Sequence, residues 1–338
     1  MARAQPRFTT PCAIDDNVES LAFTLAIESS LLKLALIIAS VLLAVVLSAV
    51  WAWTPDKTRA ALESKYLDAP GDMISVANAR LHVRASGQID APPLILIHGF
   101  GSSLHTWEAW ARELARDYRV IRFDLPGSGL SPPDPTGLYV DARIHELLIA
   151  LMDQLGVVRA SIVGHSIGSR IAWTFAALHA ERVAKLVLIS PDGFASPGFE
   201  YGRPTQVPTA VKLMRHALPK ALLRMSLAPA YADPATLTPE LVTRYHDLML
   251  APGARDALIA RLEQTTLTDP VPLLQRIRAP ILLLWGEQDQ LIPFTNAQDY
   301  GRAVPAIKLV PFARVGHLPQ EEIPAQSVEA VRAFLGEI

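Results

Sequence analysis

A serine flanked by glycines is the first residue that suggests chemistry. Ser166 lies in Gly164-His-Ser-Ile-Gly168, after an apolar run and before an amphipathic segment. A sharp turn from strand to helix would hold this serine exposed in strained backbone, and the glycines would remove side chains that clash across the turn. The hydroxyl of such a serine attacks acyl groups when a base activates it. The pattern therefore predicts Ser166 as a nucleophile.

The nucleophile needs a base and an acid that orients the base. His317 follows the last predicted strand, and Asp289 follows the strand predicted over Ile281–Trp285. The order Ser, Asp, His along the chain is the order that the topology of an α/β sheet with such a serine turn requires. We therefore predict His317 as the base and Asp289 as the acid. Asp192, which also follows a strand, and Glu287 are alternative acids.

Two main-chain N–H groups must stabilise the negative charge on the attacked carbonyl oxygen. We assign one to Ile167, directly after the nucleophile, and the other to Phe100 in His98-Gly-Phe-Gly101. Asp124 and the glycines after it are expected to shape a neighbouring loop, and His98 and His165 to make structural hydrogen bonds. No zinc-helix, dinucleotide or phosphate-loop motif occurs, so neither a metal nor an organic cofactor is predicted.

Alternating short apolar runs and amphipathic segments must position these residues. The predicted strands are 73–76, 80–85, 94–97, 120–123, 161–163, 186–189, 281–285 and 307–310, and the predicted helices are 106–116, 140–155, 167–179, 295–303 and 325–335. Such alternation predicts an α/β fold with a mostly parallel sheet and helices on both faces. Between Asp192 and Pro270, many prolines separate short amphipathic pieces. We interpret this stretch as a helical lid over the site.

An uncharged stretch near the N-terminus predicts a membrane span. No charged residue occurs from Leu34 to Thr54, and a helix of about 20 residues spans about 30 Å, the thickness of a bilayer core. Trp51 and Trp53 lie at one end, where aromatic rings favour the membrane interface, and Lys33 lies at the other. A cleaved signal peptide fits less well, because about 33 residues precede the run and no small-residue cleavage site follows it.

The flanking charges leave the orientation of the span open. Basic residues balance on its two sides: Arg3, Arg7 and Lys33 before it, and Lys57, Arg59 and Lys65 after it. We expect a single-pass membrane protein, with an extracytoplasmic domain favoured. The predicted organisation is a tail over 1–33, a transmembrane helix over 34–54, a linker over 55–70 and an enzyme domain over 71–338, with the lid at about 194–270.

Composition excludes several classes of protein. The 31 basic and 33 acidic residues give a formal net charge of −2, which argues against a basic nucleic-acid-binding surface. Half of the residues are hydrophobic, which excludes a disordered chain. Only 19% are charged, against about 25% in soluble domains, consistent with an apolar segment outside the core. Cys12 is the only cysteine, so no internal disulfide or cysteine-rich zinc site can form.

Taken together, these motifs resemble those of the α/β-hydrolase-fold serine hydrolases over residues 72–338. The motifs, in family order, are His98-Gly-Phe-Gly101, Asp124-Leu-Pro-Gly-Ser-Gly-Leu-Ser131, Gly164-His-Ser-Ile-Gly168, Gly286-Glu-Gln-Asp289 and Gly316-His317. The resemblance implies an eight-stranded sheet with a helical cap inserted after the sixth strand. Ser169 departs from the pattern, because many relatives carry a third glycine there.

We therefore expect a membrane-anchored serine hydrolase that cleaves carboxylic esters, hydrophobic or lipid-like, through an acyl-enzyme on Ser166. Its expected partners are a small-molecule or lipid ester and the membrane, with no nucleic acid. A serine at the turn argues against epoxide hydrolases and haloalkane dehalogenases, which carry aspartate there. Carbon–carbon bond hydrolases, which usually have a different oxyanion loop, perhydrolases and acyltransferases stay as alternatives. A catalytically silent binding protein or scaffold is the alternative of another class.

Overall fold

The computed structural model describes residues 15–196 and 200–337. Contacts within the chain divide it into two units, one that ends at Trp53 and one that begins at Thr54. Three residues used in the sequence analysis, Arg3, Arg7 and Cys12, lie outside the described residues.

A single helix, α1 (Asp15–Ala52), forms the described part of the first unit. It begins well before the predicted start of the span at Leu34, because no proline or glycine interrupts the chain between Pro11 and Pro55. The stretch Ser20–Ala52 is long and apolar enough to cross a membrane, and none of the side chains in its apolar window is buried. A signal sequence meets the same criteria of length and composition.

The second unit contains one eight-stranded sheet in the order β1-β2-β4-β3-β5-β6-β7-β8. Its strands are β1 (Met73–Val76), β2 (Ala79–Ser86), β3 (Pro93–Ile97), β4 (Arg119–Phe123), β5 (Ala160–His165), β6 (Val183–Ile189), β7 (Ile281–Gly286) and β8 (Lys308–Phe312). Strand β2 is antiparallel to both β1 and β4, and the five remaining pairs are parallel. This confirms the opening hairpin and the mostly parallel sheet that the sequence predicts.

Alternate side chains of each strand pack on opposite faces of the sheet. In β3, Ile95 and Ile97 join one apolar core, whereas Leu94 and Leu96 join the other. The helices outside the lid are α2 (Arg59–Tyr66), α3 (Glu108–Leu114), α4 (Asp141–Gln154), α5 (Ile167–Leu178), α10 (Val271–Leu274), α11 (Asn296–Ala303), α12 (Pro319–Glu322) and α13 (Pro324–Gly336). Helix α3 is shorter than the predicted helix 106–116, because the chain enters it through a 3₁₀ turn over Leu104–Trp107.

The expected helical insertion lies between β6 and β7. Its helices are α6 (Thr209–Leu213), α7 (Lys220–Leu227), α8 (Pro239–Met249) and α9 (Ala254–Gln264). Short helices are expected here, because prolines occupy or precede the first positions of α6, α7 and α8. The lid has small apolar clusters of its own, one of which joins Leu218, Leu223, Tyr245 and Leu250.

The segment predicted as a linker is folded onto the lid. We call residues 54–66 the strap. It contains α2, whose cap residue Thr58 accepts a hydrogen bond from the N–H of Ala61. Leu62 is buried in a cluster with Leu130 and Leu248, so the strap contributes to a core rather than only connecting two units. The hydrophobic effect favours this docking, because it removes apolar surface from water.

Candidate active site

Ser166 lies at the turn between β5 and α5, in strained backbone. Its φ and ψ are 55° and −120°, a conformation that costs a non-glycine residue about 1–3 kcal/mol. The N–H of Ser166 donates to the carbonyl of Ile189 on the neighbouring strand at 2.9 Å. This contact and the start of α5 hold the serine at the carboxyl edge of the sheet, as the sequence pattern predicts.

The glycines at the turn are required by close packing. A Cβ atom on Gly164 would lie 2.3 Å from the carbonyl oxygen of Gly168, and one on Gly168 would lie 2.4 Å from that of Ile97. Both contacts are with main chain, which cannot move aside easily. Ser169 fits where many relatives have glycine, because its buried hydroxyl donates to the carbonyl of Gly164 at 2.6 Å and accepts from the N–H of Ile189 at 3.0 Å.

His317 and Asp289 meet at the same edge of the sheet. Nδ1 of His317 lies 2.7 Å from Oδ2 of Asp289, and both side chains are buried. The other carboxylate oxygen accepts from the N–H groups of Leu291 and Ile292, each at 2.9 Å. Burial alone would raise the pKa of Asp289, but His317 and these hydrogen bonds outweigh it and hold the pKa below its ordinary value. The carboxylate is therefore ionised and fixed in position.

The alternative acid, Asp192, is engaged elsewhere. Its Oδ2 accepts from Arg170 at 2.7 Å, and its carbonyl accepts from the side chains of Trp173 and Tyr300. Burial raises the pKa of Asp192 despite the arginine. Glu287 is exposed. Of the three candidate acids, Asp289 is the one hydrogen-bonded to His317.

The predicted oxyanion loop packs directly against the serine turn. A Cβ atom on Gly99 would lie 2.6 Å from Nδ1 of His165 and 3.2 Å from Cβ of Ser166, so a side chain there would push the loop away. Phe100 and Ile167 line one small cavity. The two proposed N–H donors therefore belong to residues that border the same space.

Buried polar contacts hold the loops around this cavity. Nδ1 of His98 donates to the carbonyl of Gly99 at 2.8 Å, and Nε2 accepts from the N–H of Leu125 at 2.9 Å. Burial lowers the pKa of His98, in keeping with a neutral ring that accepts at one nitrogen. Asp124 accepts from the N–H groups of Leu104 and Leu130 at 2.6 and 2.9 Å. These contacts fit the structural roles expected from the sequence.

His165 connects the serine turn to the histidine loop. Its Nε2 donates to the carbonyl of His317 at 2.8 Å, and the two rings lie 4.7 Å apart between centroids. The N–H of His317 donates in turn to the carbonyl of Ala230 in the lid at 2.8 Å. The lid therefore contacts the main chain of the predicted base. Local sequence gives no sign of this contact, because residues 230 and 317 lie far apart in the chain.

Sequence reasoning also missed two other features around the site. One is Arg261, a buried lid residue that borders the cavity with Phe100 and Ile167. The other is the strap. An arginine on an amphipathic helix and a polar segment after an apolar run carry no distinctive local signal. Within residues 15–196 and 200–337, no group of three or more histidine, cysteine, aspartate or glutamate side chains is arranged to hold a metal ion.

The sheet order, the lid between β6 and β7 and the strained serine turn define the α/β-hydrolase class. A family model described as alpha/beta hydrolase fold matches residues 92–324. The chain belongs to this family, and the family supports a hydrolase activity.

The names of similar proteins indicate several different activities. The chain is 30% identical over 248 residues to the dihydrolipoyllysine-residue acetyltransferase component of the acetoin cleaving system of Pseudomonas putida, covering 72% of this chain and only 63% of that protein. It is 30% identical to the 2-hydroxy-6-oxo-6-phenylhexa-2,4-dienoate hydrolase of Burkholderia cepacia, with 73% and 88% covered. The crystal structure of a putative lipase from Acinetobacter baumannii superposes with a TM-score of 0.68 at 25% identity, covering 78% of this chain and 89% of that one.

Proposed function

We propose that this chain is a membrane-anchored serine hydrolase that cleaves carboxylic esters with hydrophobic acyl groups. The proposal rests first on one observation. A serine in strained backbone lies at the sheet edge where His317 is hydrogen-bonded to a buried aspartate. Among common catalytic arrangements, this set of groups is typical of acyl transfer through a covalent intermediate.

In the proposed reaction, Oγ of Ser166 attacks the ester carbonyl while Nε2 of His317 takes its proton. The N–H groups of Phe100 and Ile167 donate to the oxyanion that forms. Asp289 keeps Nδ1 of His317 protonated and stabilises the imidazolium. His317 then returns its proton to the leaving alcohol. A water molecule, deprotonated by the same histidine, then attacks the acyl-enzyme. The bond from the acyl carbon to Oγ of Ser166 breaks, His317 gives the proton to Oγ, and the acid is released.

The membrane part of the proposal rests on α1. The large apolar side chains along this helix are exposed, including Leu36, Leu43 and Val50 at 59%, 59% and 69%. A continuous exposed apolar surface of this length is unfavourable in water and stable in hydrocarbon. An enzyme held at a bilayer meets ester substrates that dissolve there, which is why we propose hydrophobic or lipid-like acyl groups. The putative lipase of the same fold is consistent with this class of substrate.

Labelling with a fluorophosphonate probe tests the nucleophile. We expect the full-length wild type in detergent to be labelled and Ser166→Ala to be unlabelled, with ester turnover reduced by about 10⁶-fold. Ser169→Ala is the matched control, since it removes a neighbouring, fully buried hydroxyl that is hydrogen-bonded to main-chain groups. Labelling of Ser166→Ala at the wild-type level would exclude Ser166 as the nucleophile.

Graded p-nitrophenyl esters test the substrate class. Turnover by the wild type should rise from acetate to longer acyl chains, because each added methylene that is buried contributes about 0.8 kcal/mol. A preference for the acetate ester over all esters with longer acyl chains would contradict the proposal that the substrate has a hydrophobic acyl group.

The dienoate hydrolase relative supports a second candidate, cleavage of a carbon–carbon bond beside a ketone. The same serine, histidine and oxyanion donors would be available for that reaction. Parallel assays with p-nitrophenyl esters and with 2-hydroxy-6-oxo-6-phenylhexa-2,4-dienoate distinguish ester hydrolysis from carbon–carbon bond cleavage. Efficient dienoate cleavage with weak ester turnover would replace the ester proposal.

A further inference from the structure

Among the buried arginines that the structure describes, Arg261 differs from the others because it has no ion pair. In the described residues they are Arg84, Arg122, Arg143, Arg170, Arg255 and Arg261. The first five are each ion-paired with a carboxylate at 2.6–3.1 Å. Arg261 has no ion pair with any carboxylate in the part of the chain that the structure describes. A buried charge without a counter-charge is costly, so this arginine calls for an explanation.

Neutral groups around Arg261 satisfy it only in part. Its guanidinium donates to the carbonyls of Tyr139 and Pro126, both at a long 3.4 Å, and lies 5.5 Å from the Tyr139 ring centroid. Asp141 is a carboxylate that raises the pKa of Arg261, but it is ion-paired with Arg170. Burial lowers the pKa of Arg261 to about 10, so the side chain is still cationic at neutral pH.

The position of Arg261 indicates what could supply the missing charge. Arg261 lines the small cavity that Phe100 and Ile167 also line. The rest of its lining is largely apolar, with Leu125, Pro126, Ala257 and Leu258. A guanidinium in such surroundings attracts a carboxylate or phosphate strongly, because few waters compete for it.

We propose that Arg261 binds an anionic group on the acyl part of the substrate. This inference rests on the proposed ester hydrolysis and narrows its hydrophobic acyl groups to chains that carry a negative charge at their far end. The acyl part is specified because Phe100 and Ile167, whose N–H groups would hold the acyl carbonyl oxygen, line the cavity, whereas neither Ser166 nor His317 does. The leaving alcohol then lies on the His317 side, and the acyl group enters the space beside Arg261.

Pairs of esters that differ by one charge test this assignment. Each pair consists of a neutral p-nitrophenyl alkanoate and the mono-p-nitrophenyl ester of the dicarboxylic acid with the same number of carbons, from adipic to suberic acid. The measurement is the ratio of kcat/KM within each pair, made on full-length protein in detergent. A charged hydrogen bond of ordinary strength predicts a wild-type ratio above 1 for at least one length, and a loss of about 10- to 100-fold in that ratio in Arg261→Met.

Two further variants separate recognition from folding. Arg261→Lys keeps the charge but not the planar fork, so it should retain part of the preference. Arg215→Met removes a charge from an exposed position of the lid and should keep the wild-type ratio. Thermal melting checks that each variant is folded. If Arg261→Met does not fold, the wild-type ratios and Arg261→Lys still decide.

The outcomes separate this inference from the proposed function. Wild-type ratios at or below 1 for every length, or equal ratios in the wild type and Arg261→Met, overturn the role of Arg261 and leave ester hydrolysis standing. A wild type that cleaves neither member of any pair overturns the proposed function, and this inference with it.

Discussion

At the scale of single residues, the choice of acid depends on which carboxylate reaches His317. Asp289 and Asp192 both follow strands, but the first contacts the histidine and the second pairs with Arg170. Asp289→Asn should lower kcat by about 10⁴-fold, because an amide favours the wrong tautomer of His317. Asp192→Asn should lower activity far less. The measurement is steady-state turnover of a short p-nitrophenyl ester, and the reverse order of effects would make Asp192 the acid.

A second prediction for a single residue concerns acid stability. Asp124 is fully buried and hydrogen-bonded to His82 at 2.7 Å. Burial opposes its ionisation, but the interactions with His82 first, and with His105 and His98, outweigh burial and lower the pKa from 3.8 to about 2. A carboxyl group with a depressed pKa stabilises the fold above its ordinary pKa, and this contribution is lost as the pH falls toward the folded value.

The wild type should therefore lose more stability than Asp124→Asn as the pH falls from 3.8 to about 2. Urea unfolding of the two proteins over that range measures the difference in free energy of unfolding. The gap between them should shrink steadily with falling pH. Parallel curves would show that Asp124 does not titrate differently in the folded and unfolded states.

At the scale of elements, the strap is held to the lid by hydrogen bonds and ion pairs. Asp247 on α8 accepts from Lys57 and Lys65, each at 2.7 Å, and from the hydroxyl of Tyr66 at 2.8 Å. Asp56 pairs with Arg255 on α9 at 2.6 Å. Helix α9 also carries residues that line the cavity with Phe100 and Ile167, so the strap is coupled to the cover of the site.

Removing the contacts between Asp247 and the strap should make the lid less stable. Asp247→Ala deletes the acceptor for three donors and should destabilise the protein by about 1–3 kcal/mol, because hydrogen bonds to charged groups have that strength. Glu240→Ala, an exposed position on the same helix, is the matched control. Limited proteolysis should cut the lid of Asp247→Ala faster than that of the control, and equal rates of cleavage would contradict the coupling.

At the scale of the whole molecule, the two units are predicted to have separable roles. Full-length protein should stay with membranes through high-salt and carbonate washes. A chain that begins at Thr54 keeps the strap and every proposed catalytic group, and it should be soluble and active on short, water-soluble esters. Its turnover of long-chain esters held in bilayers should fall more, because it is no longer concentrated at the surface.

Fractionation and turnover on the two kinds of ester measure these effects. A control chain that begins at Leu67 lacks the strap and should melt at a lower temperature than the chain from Thr54. Full-length protein that leaves the membrane in carbonate would contradict the anchor. Equal activity of both forms on bilayer-held esters would show that α1 has no part in substrate access.

Sequence alone determined those features that depend on neighbours in the chain. The strand at 94–97 and the turn around Ser166 follow from apolar runs and from glycines a few residues away, and the structure has both. The length of the apolar N-terminal segment likewise predicts a span, although α1 extends beyond it. Helix and strand preferences act over a few residues, so such local patterns are readable without the fold.

Tertiary structure decided which distant groups meet. Two aspartates after strands were equivalent in sequence until packing joined one to His317 and the other to Arg170. The strap looked like a linker because its partners lie about 190 residues away on the lid. Arg261 is distinguished only by the tertiary structure, in which the other buried arginines of the described residues are each ion-paired with a carboxylate. Pairing between residues far apart in sequence depends on how the whole chain packs, and no local pattern carries that information.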